Sequence, residues 1–395
     1  MSSLRVLHVI PSIDLAGGGA NRACTELCEA LAFKGIRVAL RTVEFDPGAG
    51  RLPTQGVDAV IFPRSGPRAF SWGLTRSLMK EVRQYQLVHI HALWMYPNIP
   101  AAVAAKIAGL PYVVSPHGSL EPWKLRFKGL RKRVYGALVE KRILEGAAAI
   151  IAGNGPDLEA IKTYVPSADV RIVPYGAHLD AITRPISREV FDRLWPKADG
   201  RRVVLYLGRL DRNKGVDLLI RAFSRLPSQF ADVLLLIVGP DSYNMSRSEL
   251  LTLAADLCIQ DRVRFTGMVT EEEKLAAYEY SDIYVLPSLS ENFGYTVLES
   301  LARGTPVLIS RALPWPEVPA ERAGLVVQAD VGQLVEGLIR LLSLERSDLR
   351  AMGERGRAIA RRYDSVNVAD RIMRVYESVL RWPRRGTRGR DPRGA

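Results

Sequence analysis

The sequence predicts an α/β protein of two successive, doubly wound, Rossmann-like domains. Three observations carry this. A chain of 395 residues exceeds the length at which a single core stops growing, so two domains of roughly 180 residues each are expected. Short continuous apolar runs alternate with helical patterns, as in parallel sheets covered on both faces. The alternation breaks once, near residues 176–200, and then restarts.

In chain order, the first half reads as strand 4–12, helix 19–34, strands 36–43 and 57–64, helix 73–84, strand 86–93, helix 98–108, strand 111–116, helix 127–145, strand 147–153, helix 156–164 and strand 170–175. The stretch "GAHLDAITRPISREVFDRLWPKADG" mixes Gly, Pro and both polarities, which marks a linker or short helical connector. The second half has strands "RVVLYLG", "VLLLIVG", "VRFTG", "DIYVLP" and "PVLIS". Helices are expected between them at 215–226, 246–258, 271–280 and 294–303, and three closing segments near 330–344, 347–362 and 366–381 are helical. Domain limits of 1–180 and 181–365 follow. The tail 382–395, "WPRRGTRGRDPRGA" apart from its first residue, is Pro, Gly and Arg with little to bury, so disorder is expected. Ligands of such sheets sit outside the strand C-terminal ends, which makes the cleft between the domains the expected site.

Apolar residues at 47% and charged residues at 25% are ordinary for a globular protein. No run approaches eighteen uncharged apolar residues, and the start enters a strand pattern directly instead of a signal-peptide core. With only three cysteines, too few for a disulfide framework, the chain reads as cytoplasmic. Cys24 and Cys28 lie four apart on a predicted helix and read as small buried side chains; a metal pair would need ligands that the neighbourhood does not offer. Lysine and arginine exceed the acids by 55 − 42 = 13. From Glu121 to Arg142 eight basic residues face two acids among Trp123, Leu125, Phe127, Leu130, Val134, Tyr135 and Leu138. Segment 123–142 is therefore a candidate for an anionic membrane surface at the inner leaflet, or else a solvated helix face. No nucleic-acid reader motif accompanies the charge.

Three loops carry candidate chemistry. Gly17, Gly18 and Gly19 open a helix whose first N–H groups can approach an anion. A dinucleotide fingerprint is incomplete there, since Arg22 stands at the third glycine position and Glu44 is only a weak ribose acid; a plain tight turn is the alternative. In "YLGRLDRNKGVDLLI" a strand ends at Gly208, and Arg209 and Lys214 precede Gly215, giving a guanidinium fork and a point charge suited to a diphosphate. Ordinary loop charges are the plainer reading. In "SENFGYTVLES" Asn292, Phe293 and Gly294 open a helix, flanked by Glu291 and Glu299. Carboxylates accept hydrogen bonds, so these acids suit sugar or ribose hydroxyls. Complementarity to the helix dipole, about 0.3–1 kcal/mol each, is the alternative.

The Gly-Arg…Lys-Gly loop at 208–215, the Ser-x-x-Glu-x-Phe-Gly pattern with a second Glu at 288–299, and the connector "VPYGAHLD" together resemble the retaining nucleotide-sugar glycosyltransferases of family 4, with a GT-B fold of two Rossmann-like domains about a central cleft. The resemblance implies that Arg209 and Lys214 bind the donor diphosphate and stabilise the leaving charge. It assigns Glu291 to hydroxyls of the transferred sugar, with Asn292 and the N–H groups of Phe293 and Gly294 beside it, and Glu299 to the ribose. Gly18 and Gly19 would lie against the diphosphate. His117, in "SPHGSL", would face donor sugar and acceptor, while His8, His89 and His91 read as structural, with lining of the cleft the alternative for His91 near its strand's end, and His178 lies in the connector. The last helix would pack back on the first domain and take part in hinge closure. Tyr175-Gly176 departs from the family's Asn-Gly, which blurs the subfamily.

The implied reaction moves a hexose from a donor of GDP-mannose or UDP-hexose type to a glycan or lipid-linked acceptor, in surface polysaccharide or glycoconjugate synthesis. No Asp-x-Asp occurs, so cationic side chains are expected in place of a metal, and no cofactor beyond the nucleotide-sugar substrate is implied. A nucleotide-sugar 2-epimerase of the same fold, a nicotinamide-dependent oxidoreductase and a noncatalytic membrane or polyanion binder remain as alternatives.

Overall fold

In a computed structural model the described residues are 4–15, 18–44, 48, 50–121, 135–198 and 200–381. Gly17, most of the basic aromatic segment 123–142 and the tail 382–395 lie outside them. The chain divides into one unit of Met1–Pro174 with Val366–Ala395 and a second of Tyr175–Ser365.

The first unit is built on a seven-stranded sheet, ordered β3-β2-β1-β4-β5-β6-β7, whose neighbouring strands are all parallel. The strands are β1 (Arg5–Val9), β2 (Arg37–Val43), β3 (Asp58–Phe62), β4 (Leu87–His91), β5 (Tyr112–Ser115), β6 (Ala149–Ala152) and β7 (Val170–Ile172). Each is shorter than its apolar run, because the flanking residues turn away once the ladder ends. One face packs Leu7, Val9, Val88, Ile90 and Val114 into one core; the other packs Val6, Ile10, Leu87 and Val113 beneath helix Gly19–Phe33. Successive strand residues point to opposite faces, so His8, His89 and His91 all enter the second face, with His8 opposite His89 in register.

The closing helix Ser365–Arg381 covers that same face. Its Val368, Ala369, Ile372, Tyr376 and Val379 fall on one stripe of the helix and join Cys24, Cys28 and Leu31 in the core. Lys34 pairs with Asp370 at 2.8 Å on the rim. Where a helix over 127–145 is predicted, the described part is a π turn, Gly136–Glu140, running into helix Lys141–Glu145.

The second unit holds a six-stranded sheet, β10-β9-β8-β11-β12-β13, again with parallel neighbours. Its strands are β8 (Val203–Leu207), β9 (Leu234–Val238), β10 (Val263–Gly267), β11 (Ile283–Leu286), β12 (Val307–Ser310) and β13 (Gly324–Val327). β13 escapes a sequence reading because it is four residues long and only partly buried. The connector contains helices Leu179–Thr183 and Arg188–Leu194. In both sheets the strand order reverses, between β1 and β4 and between β8 and β11, which is where open α/β sheets place ligands. Among the described residues no helix is long and apolar enough to cross a membrane.

Candidate functional site

In the second unit, two loops leave the strands that flank the reversal, after β8 and after β11. Asp211 caps a short 3-10 turn, Arg212–Lys214, by accepting from Asn213 N at 2.8 Å. Asn213 then bridges the loops: its Nδ2 donates to Ser290 O at 2.9 Å and its carbonyl accepts from Leu289 N at 2.8 Å. Gly215, at φ 68°, lets the backbones meet, since a Cβ there would stand 2.3 Å from Pro287 O. This stitching brings Lys214 Nζ into an ion pair with Glu291. Exposed Arg209 makes no side-chain hydrogen bond or ion pair among the described residues. Two cations and one carboxylate thus gather at neighbouring strand ends.

The turn at Asn292–Gly294 is held from behind. Phe293 is buried against Tyr175, Tyr295, Trp315 and Tyr363, with ring centroids 5.0–5.9 Å away. Trp315 Nε1 donates to Phe293 O at 2.6 Å, and Asn292 Nδ2 to Tyr175 Oη at 3.0 Å. Gly294, at φ 81°, caps helix Tyr295–Arg303, and among the described residues the N–H groups of Phe293 and Gly294 donate to nothing. They are the ready donors of a helix start. Glu299 is 1% exposed; it accepts from Lys274 Nζ at 2.9 Å and Tyr278 Oη at 3.0 Å, which fixes its carboxylate on the inner side of that helix. Sequence reading missed Trp315, Tyr363, Lys274 and Tyr278, because nothing local links them to the motif. Tyr175, noted only as a departure from the family pattern, is a direct support of the turn. A concavity of about 740 Å³ in this unit, lined by Arg188, Glu279, Arg303, Arg346 and Arg357 among others, contains none of these site residues.

In the first unit, Gly18 adopts φ 78° and precedes helix Gly19–Phe33 without a side-chain cap, leaving that helix start to Gly18 and Gly19. Arg22 pairs with Glu26 at 2.6 Å, and Glu44 with Arg51 at 2.5 Å, so the residues of the dinucleotide alternative are engaged elsewhere. His117 follows β5 in left-handed backbone, φ 53°, a costly conformation for a residue with a Cβ. Its Nε2 lies 3.0 Å from Nδ1 of His91, so a predicted site histidine and a predicted structural one are in direct contact. Burial pushes His117 down to about 4 and His8 to about 3, and holds His89 and His91 well below the usual range, with neighbouring imidazoles adding to the effect on those two. Nearby, the equally left-handed Trp94 donates its N–H to Glu140 at 2.8 Å, and burial pushes that carboxyl up to about 7.

Cys24 and Cys28 are fully buried, as expected. The expectation that no further ligand lies near them needs correcting: the fold brings His8 within 4.8 Å of both thiols, and within 4.8 Å of His89 and His91. β1 supplies that neighbour from sixteen residues upstream, beyond the reach of a local reading. The imidazoles are already hydrogen-bonded to one another and to Tyr376, so the cluster is satisfied as it stands.

Comparison with known proteins gives the family. Residues 187–359 match the model described as "Glycosyl transferases group 1", and residues 18–176 match "Glycosyl transferase 4-like domain". The chain is 30% identical to the D-inositol 3-phosphate glycosyltransferase of Pseudarthrobacter chlorophenolicus over 74% of each chain. It is 29% identical to the phosphatidyl-myo-inositol mannosyltransferase of Mycobacterium leprae, over 95% of this chain and 97% of that one. Sucrose-phosphate synthase from Thermosynechococcus elongatus shares the fold, with a TM-score of 0.74 at 24% identity over 95% of this chain and 99% of that one.

Proposed function

The chain belongs to the glycosyl transferases group 1 family and is a retaining glycosyltransferase of GT-B fold that takes its sugar from a nucleotide-sugar donor, and from this premise we propose that it moves a hexose onto a lipid-linked saccharide or glycan acceptor without a metal. The observation that carries the reading is the Lys214–Glu291 pair beside Arg209, whose side chain bonds to nothing among the described residues. A diphosphate needs cations, a sugar needs acceptors for its hydroxyls, and the two loops supply both side by side.

In this reading Arg209 grips diphosphate oxygens in a fork, and Lys214, with three N–H donors, takes a phosphate oxygen while keeping Glu291 oriented. Glu291 reads hydroxyls of the transferred sugar, flanked by Asn292 and the N–H groups of Phe293 and Gly294. Glu299, oriented by Lys274 and Tyr278, reads the ribose. Gly18 and Gly19 offer N–H groups to the diphosphate, and His117 serves the donor sugar and acceptor. As the bond from the anomeric carbon to phosphate breaks, negative charge grows on the leaving diphosphate, and fixed cations stabilise it most at that moment. The acceptor oxygen bonds to the same carbon, and its proton leaves with the departing phosphate. The mannosyl transfer named for the M. leprae relative supports a lipid-borne acceptor. The charge of segment 123–142 supports approach to an anionic leaflet, at about 1 kcal/mol per basic residue near the surface. A protein that does not co-sediment with anionic vesicles at physiological salt would remove this membrane component.

The deciding experiment is a thermal-shift panel of nucleoside diphosphates and nucleotide sugars with chelator present. One base is expected to raise the transition, by the equivalent of about 2.7 kcal/mol at a hundred times its Kd. Binding by none of them sinks the proposal. Release of a modified free nucleotide sugar without acceptor would point to epimerase chemistry instead.

A further inference from the structure

Four of the five histidines form one hydrogen-bonded line through the first unit. It begins with the 3.0 Å contact of His117 Nε2 and His91 Nδ1, continues from His91 Nε2 to His8 Nδ1 at 3.0 Å, and from His8 Nε2 to Tyr376 Oη at 3.5 Å. From Tyr376 Oη it passes to His89 Nδ1 at 2.6 Å, then from His89 Nε2 to Ser115 Oγ at 2.8 Å. The rings of His117 and His91, and of His91 and His8, are near-parallel at 5.3 and 5.2 Å. His8, His89 and His91 are at most 1% exposed, and burial keeps the whole line neutral.

A neutral imidazole has one N–H and one bare nitrogen. Each ring in such a line therefore dictates the tautomer of the next, and the line runs one way or the other as a whole. The bond lengths select the direction. N–H donors settle at about 2.9–3.0 Å from oxygen, whereas O–H donors come closer. At 2.6 Å the Tyr376–His89 contact fits a phenol donating to His89 Nδ1. With its proton committed there, the Tyr376 oxygen accepts from His8 Nε2–H. His8 Nδ1 then accepts from His91 Nε2–H, and His91 Nδ1 accepts from His117 Nε2–H.

We propose that His91, His8 and Tyr376 are positioning residues that lock His117 in the Nε2–H tautomer, so that its Nδ1 is the nitrogen presented to substrate as a hydrogen-bond acceptor. The inference rests on the reading of His117 given above. An acceptor nitrogen reads a hydroxyl; the opposite tautomer would present a donor. The left-handed backbone at His117 sets where the ring sits, and the line behind it sets which nitrogen carries the proton. One substitution at the base of the line, far along the chain in the closing helix, thus changes the chemistry offered at its tip.

The test uses the full chain labelled with 15N-histidine, where five side chains give five resolvable ring systems and long-range 15N–1H correlations report each tautomer. His117, His91, His8 and His89 are all expected as Nε2–H. Tyr376→Phe removes the acceptor of His8 Nε2–H and frees the line, so His117 becomes a mixture. Tyr112→Phe also removes a phenol hydroxyl from this unit, but one that donates to Ile143 O at 2.7 Å outside the line, and leaves His117 unchanged. A wild-type His117 that is Nδ1–H or mixed overturns the proposal. An equal response of His117 to the two variants overturns it too, as does one tightly bound metal per chain held through His8, which would occupy a nitrogen of the line. Turnover is read as release of UDP or GDP from UDP-glucose or GDP-mannose. Tyr376→Phe is expected to lower it about two- to tenfold at unchanged KM, the equivalent of one hydrogen bond. A changed tautomer with unchanged turnover would keep the line and overturn only the reading of His117 on which it rests.

Discussion

Lys214 and Glu291, 77 positions apart in sequence, meet as side chains of intermediate burial, 22% and 15% exposed. An ion pair this accessible contributes little to folding, about 1 kcal/mol at most, whereas a fixed cation at a leaving group is worth far more in the transition state. Lys214→Ala should therefore lower turnover by about 100- to 1,000-fold while shifting the urea midpoint only slightly. Equal loss in both measurements would make the lysine structural. The residue types of this site were readable in the motifs, because cations suit phosphate and carboxylates suit hydroxyls whatever surrounds them. Glu299 shows the other side: its residue type suggested a hydroxyl reader, but its burial and its contacts with Lys274 and Tyr278 appear only when two helices, Glu271–Glu279 and Tyr295–Arg303, come together.

At the scale of elements, the loops after β8 and β11 act as one piece because Gly215 lets them touch. Gly18 and Gly215 both have positive φ, near 78° and 68°, but a Cβ on Gly18 would meet nothing within 4 Å, whereas one on Gly215 would collide with Pro287 O. Gly18→Ala should cost only the backbone strain, about 1–3 kcal/mol. Gly215→Ala should cost more, about 2–4 kcal/mol, and should weaken nucleoside diphosphate binding by moving Lys214. Urea denaturation of both variants, with titration of the diphosphate found in the panel, checks the contrast; equal costs would mean that the loops do not depend on their close approach. Most strands were legible because a parallel strand buried on both faces must be apolar throughout. β13 was not, being short and half-covered, and neither was the π turn before Lys141, whose irregular hydrogen bonding leaves no periodic trace.

At the scale of the whole molecule, the buried histidines predict how the chain responds to acid. Their folded pKa values lie below the ordinary 6.5, about 3 for His8 and about 4 for His117, because burial disfavours the charged ring. The folded state therefore binds fewer protons than the unfolded chain below pH 6.5, and stability present above that value is lost as the pH falls towards the folded pKa values. The groups facing the rings among the described residues are the thiols of Cys24 and Cys28, the phenol of Tyr376, the Ser115 hydroxyl and the other imidazoles, with no carboxylate to offset this. By pH 5 His8 and His117 each cost about 2 kcal/mol, and His89 and His91 act in the same direction. Together they take a large share of the ~5–15 kcal/mol that holds a domain together. Calorimetry from pH 8 to pH 4.5 should show a transition of the first unit falling below pH 6.5, and a transition of the second, which has only His178, moving less. Parallel behaviour of the two would place the acid sensitivity elsewhere.

The sequence by itself determined the two-sheet α/β architecture, the loops that carry cations and carboxylates, and the family, because apolar periodicity and motif spacing are properties of short stretches. Only the tertiary structure decided what stands behind those loops: the Trp315 and Tyr175 supports of the Asn292–Gly294 turn, the partners of Glu299, and the histidine line that joins β1, β4, the loop after β5 and the closing helix. Each of these is a contact between residues far apart in the chain, and such contacts exist only once packing has chosen which faces meet.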